Sequence, residues 1–103
     1  MTHTRLVSAN GSAIAPNIES FTNAQKGADW SSPFTPDLIN CSDDGAWPIT
    51  CITYALIDKN HGKQREVCSF FEWVWAHGAA DLAALGFVPL PADVVKAVLG
   101  DMQ

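Results

Sequence analysis

Eleven residues, Pro48-Ile-Thr-Cys-Ile-Thr-Tyr-Ala-Leu-Ile-Asp58, constrain this chain more than any motif in it. Side chains alternate faces along a strand. In that conformation Ile49, Cys51, Ala55 and Ile57 point one way, while Ile52, Tyr54 and Leu56 point the other. Neither set is polar. A strand that hides both faces belongs inside a covered sheet, and the rest of the chain offers little from which to build one. The sequence therefore reads as a piece of something larger, or as a chain completed by another copy of itself.

The remaining pattern is mixed. Asn10-Gly11 separates two short apolar stretches, Leu6-Val7 and Ala13-Ile14. The pair favours a two-residue type I′ turn, so a hairpin is expected over 4–15. Asn17 is a good cap for a helix over 17–27, with Ile18, Phe21 and Ala24 as its apolar stripe and Gly27 as its stop. Residues 28–47 carry turn chemistry and no sustained period. Trp30, Phe34, Leu38 and Ile39 are expected to pin them to a core, with one helical turn near 36–40. Helices are expected over 64–77, 79–85 and 91–102. In the first of these, Val67, Phe70, Phe71, Val74 and Trp75 form the core stripe, and Trp73 falls opposite with Glu66 and Glu72.

The expected class is thus α/β (α+β), one domain over 1–103. It would hold a small sheet, with an N-terminal hairpin and one central buried strand over 48–58, packed by three to four helices. Hydrophobic content of 48% supports a real core. A formal charge of −5 argues against nucleic acid or an anionic membrane as partner. No stretch reaches the roughly 20 apolar residues of a membrane span. The opening residues lack a signal-peptide core, so the chain as written is expected in the cytoplasm.

Reactive groups are present but scattered. His3, His61 and His77 with Cys41, Cys51 and Cys68 lack the paired spacing of a zinc site. Cys51 and Cys68 read as small core residues. Asp43-Asp44 lacks the further ligands of a calcium loop. Ser31, Ser32 and Ser42 sit in no nucleophile elbow, and Cys68 and His77 are nine residues apart along one helix. No phosphate loop occurs. No metal, cofactor or catalytic residue is therefore assigned. Trp73, apolar and on a polar face, is the best single pointer to a partner surface.

Several stretches then resemble one family. Ala13-Ile-Ala-Pro-Asn-Ile-Glu-Ser-Phe21, Lys26-Gly-Ala-Asp-Trp30 and Ala46-Trp-Pro-Ile-Thr50 are similar to the C-terminal third of phosphate-specific periplasmic substrate-binding proteins. So are Thr53-Tyr-Ala-Leu-Ile57, Phe70-Phe-Glu-Trp73 and Leu85-Gly-Phe-Val-Pro-Leu-Pro91. The resemblance begins near Leu6 and runs onward. It implies two α/β lobes clamping phosphate in a cleft, with relatives periplasmic or lipid-anchored, and makes this chain a fragment of one type II-like lobe. The family's phosphate-holding residues lie in an early Thr/Ser turn, an early Asp, and a central Arg with a Ser-Gly-Thr segment. None has a counterpart here, so no ligand residue transfers. In the family, the stretch matching 48–58 is a strand crossing back to the first lobe.

A strand apolar on both faces with open edges invites association. An obligate homodimer, with segments exchanged, is the expectation, with Tyr54, Leu56, Phe71, Val74 and Trp75 in its shared core. Function then divides among a non-enzymatic interaction module, small-anion binding at a site formed by the dimer, an enzyme, and a truncated or mobile reading frame with no selected ligand. The enzyme has the least support, because no base and nucleophile can be placed in reach.

Overall fold

A computed structural model of the chain describes residues 2–31 and 33–103. Met1 and Ser32, which fall within the expected domain and its irregular stretch, lie outside the described residues. Where one domain is expected, the chain divides into two compact units, Met1–Ile52 and Thr53–Gln103.

The first unit opens with a hairpin of β1 (Leu6–Val7) and β2 (Ala13–Ile14), antiparallel, with Leu6 opposite Ile14 and Val7 opposite Ala13. The connection is not the expected two-residue turn. Gly11 N donates to Ser8 O and Ser8 N donates to Ser12 O, both at 2.9 Å, which leaves three residues in the loop. Only Gly11 takes a positive φ, at 80°, and Asn10 does not. A type I turn followed by a left-handed glycine satisfies the same Asn-Gly pair with one more residue.

Helix α1 spans Ile18–Lys26. Asn17 Oδ1 accepts from Ser20 N at 2.9 Å, and Ser20 Oγ accepts from Asn17 N at 3.1 Å. This reciprocal box satisfies two of the donors that every helix start leaves free. Around the helix lie the buried side chains of Ala24, Leu38, Ala46 and Trp47. The Trp47 ring meets Phe21 edge-on at 6.3 Å, and Trp47 N donates to Ser20 O. The irregular stretch is held by specific bonds. Trp30 Nε1 donates to Gln25 O, and Asn10 Nδ2 donates to Asp44 Oδ1 at 2.7 Å. Against expectation, 36–40 forms no helical turn; Asp37 Oδ1 accepts from Ile39 N instead. That bond spends the side chain on a local Asx turn, a rival to helix formation. Ile39 is exposed rather than pinned.

The strand expected over 48–58 is not there. Ile49 makes one isolated antiparallel bridge to Ile39, and residues 50–58 carry no regular structure. Alternation describes how side chains would point in a sheet, but a strand also needs a neighbour's backbone. The only two strands among the described residues pair with each other. Cys51, expected in the core, is exposed for the same reason.

The second unit is helical: α2 (Gln64–His77), α3 (Ala79–Ala84) and α4 (Ala92–Met102). Both α3 and α4 pack against α2. Pro91 caps α4 from outside at φ −56° and ψ 145°, not from within its first turn. Among the described residues no helix is long and apolar enough to cross a membrane.

Candidate functional site

Helix α2 carries two apolar stripes, because its non-polar arc is wider than one neighbour can cover. Gln64, Cys68, Phe71 and Trp75 follow the three-and-four spacing along one stripe, and all four are buried or half-buried. At its base the end of α4 docks through polar groups. Gln64 Nε2 donates to Met102 O at 2.8 Å, and the Cys68 thiol approaches the same carbonyl at 3.7 Å. Lys59 Nζ donates to Asp101 O at 2.8 Å and lies 3.4 Å from its carboxylate. Carbonyls at a helix end lack partners of their own and carry partial negative charge, so an ammonium and an amide suit them.

On the second stripe Val67 and Phe70, with Trp73 beside them, are exposed, while Val74 is half-buried. Phe70 is 59% and Trp73 60% exposed. Phe70, expected in the core, leans edge-on against Phe71 at 5.3 Å and otherwise faces outward. Trp73 is held in place by stacking on His77 at 5.1 Å, while His77 Nδ1 sits 3.0 Å from Trp73 O. An indole fixed by a stack and open on its other face presents apolar surface at little entropic cost.

The same unit begins with the stretch from Thr53 to Ile57. Tyr54 is 52% and Leu56 97% exposed, so neither lies in a core of the single chain. Among the described residues no backbone hydrogen bond joins 51–57 to another backbone group. Of the six residues expected at an interface, Tyr54, Leu56 and Trp73 are exposed, whereas Phe71, Val74 and Trp75 are half-buried within the unit. The exposure of Phe70, Leu85 and Phe87 was not anticipated. The signal for Phe70 is the excess width of the α2 apolar arc.

The scattered reactive groups remain apart. Among the described residues no three His, Cys, Asp or Glu side chains gather to hold a metal ion. Burial pushes the Cys41 thiol up, and the nearby Asp43 and Asp37 charges add to it. Hydrogen bonding from Ser31 holds the exposed Asp29 carboxyl below its usual range. Ser42 and His61 are exposed in loops.

Among the described residues a two-stranded sheet and four helices, with the stretch Thr53 to Ile57 unpaired, fit an α/β fragment. The chain is 34% identical over 103 residues to the phosphate-binding protein PstS of Xylella fastidiosa strain Temecula1, covering 95% of this chain and 28% of that protein. It is 32% identical over 93 residues to PstS of Haemophilus influenzae and 30% identical over 93 residues to PstS of Pasteurella multocida. Those matches cover 85% of this chain, with 28% and 27% of the relatives. No family model matches the chain. By sequence, then, the chain corresponds to a segment of a PstS-type phosphate-binding protein, spanning about 28% of the length of the relatives it matches.

Proposed function

We propose that this chain is a non-enzymatic binding and interaction module of PstS type, one in which the phosphate-holding motifs of the family have no counterpart. The observation that carries the reading is the stretch from Thr53 to Ile57, which has free backbone groups and an almost wholly exposed Leu56. Such a stretch is built to receive a neighbouring strand. What supports the non-enzymatic part is that the relatives are phosphate-binding proteins. A second reading has the phosphate-binding relatives in its favour: phosphate or another small anion binds at a site formed by two copies.

Calorimetric titration of the purified chain with inorganic phosphate and sulfate, paired with thermal melts, separates the two. The first reading expects no saturable heat and no change in melting temperature. A ligand at a hundred times its Kd would add about 2.7 kcal/mol of stability. A phosphate-dependent rise of that size would replace the first reading with the second.

A further inference from the structure

We infer that the stretch Thr53–Ile57 pairs antiparallel with the same stretch of a second copy, centred on Ala55, and that the outer flank of α2 lies against the sheet so formed. The inference rests on the interaction-module reading and names its partner. In this register Tyr54 faces Leu56 of the partner subunit, and the twofold repeats the pair, so the two exposed large side chains of the stretch cover one another. Directly opposed aromatic and aliphatic residues are favourable cross-strand pairs, and a twofold contact must be self-complementary in this way.

Charge permits it. No ionisable side chain other than Cys51 and Tyr54 occurs between Ala46 and Ile57, although the whole chain carries −5. The two copies of Asp58 would stand about 20 Å apart at the rise of a strand. That exceeds the ~8 Å screening length of physiological salt. Area permits it as well. A large side chain of these types offers roughly 150–250 Å². At their observed exposures Tyr54, Leu56, Phe70 and Trp73 contribute on the order of 500 Å² per copy. Two copies would bury about 1,000 Å², the size at which a contact between chains becomes specific. Backbone pairing adds to this. The layering of a helix flank on a sheet face is the ordinary way both hide apolar surface.

Disulfide trapping tests the register in a Cys51→Ser background, which removes the exposed native thiol. Opposed residues in an antiparallel pair have Cα atoms about 4.5–5.5 Å apart, within disulfide reach. Ala55→Cys should therefore give a covalent dimer as its main product under mild oxidation. Thr53→Cys, about 13 Å from its twin in this register, should stay mostly monomeric. A dominant Thr53→Cys dimer, or no dimer from Ala55→Cys, overturns the inference. Sedimentation of the otherwise native chain gives the second arm. Leu56→Asp should raise the dissociation constant at least 100-fold, with the far-UV circular dichroism of the dilute, monomeric chain unchanged, since Leu56 touches almost nothing in the single chain. A native chain that stays monomeric at 100 µM, or a Leu56→Asp variant that still dimerises, also overturns it. Phosphate heat bears on the preceding reading alone and leaves the trapping result as it stands.

Discussion

Trp47 and Trp73 place the same side chain in opposite circumstances. In the unit Met1–Ile52, Trp47 is buried, edge-on to Phe21, with its backbone N–H tied to Ser20 O. In the unit Thr53–Gln103, Trp73 has His77 on one face and open surroundings on the other. The contrast extends to whole units. The first buries Ala24, Leu38, Ala46 and Trp47 around one helix, and ties its irregular loops down with side-chain bonds. The second buries only Cys68 and Val94 among its hydrophobic residues, although α2 alone carries four aromatic rings. The second unit thus leaves much of its aliphatic and aromatic content at the surface, where the first hides it.

The contrast breaks most directly at Trp47. Trp47→Ala would open a cavity in the first unit and should cost about 3–5 kcal/mol, as large aromatic truncations in cores do. The urea midpoint followed by circular dichroism measures it. A loss under 1 kcal/mol would mean that the first unit hides its tryptophan no better than the second. Asn17→Ala sharpens the same point on a smaller scale. It removes the acceptor for Ser20 N and one half of the capping box, with an expected loss of about 1 kcal/mol. Asn17→Ser should recover most of that, since serine caps as well as asparagine.

Local features of the chain were legible because they depend on neighbours in sequence. The cap at Asn17, the stop at Gly27, and the break at Gly78 between α2 and α3 each follow from residue types a few positions apart. The hairpin was legible as to its partners but not its turn, because Asn-Gly fits both a two-residue loop and a three-residue loop with glycine in the left-handed position. What could not be read was cover. The alternation from Ile49 to Ile57 states a need for a sheet, and nothing local says whether the chain meets it. For Thr53 to Ile57 it does not. The candidate surface was half legible. Tyr54, Leu56 and Trp73 were singled out and are exposed, but Phe70 was counted in the core because a helix stripe fixes which residues share a face, not how many faces have neighbours.

Trp73→Ala should have the smallest effect on the single chain and yet be the most telling counterpart to Trp47→Ala. Its indole contacts His77 and little that is buried, so the loss of protomer stability should stay within about 0.5 kcal/mol, as for surface substitutions generally. The His77 imidazole would lose its stacking partner but keep the Trp73 carbonyl, which the substitution leaves in place. Urea unfolding at a concentration low enough to keep the chain monomeric isolates that term. Repeating the measurement at high concentration adds whatever association contributes, because a partner that binds only the folded chain raises apparent stability by mass action. If the indole serves a contact between molecules, the variant and the native chain should coincide when dilute and diverge when concentrated. A full-sized loss already present at high dilution would instead place Trp73 in the protomer's own packing, and the difference between the two tryptophans would disappear.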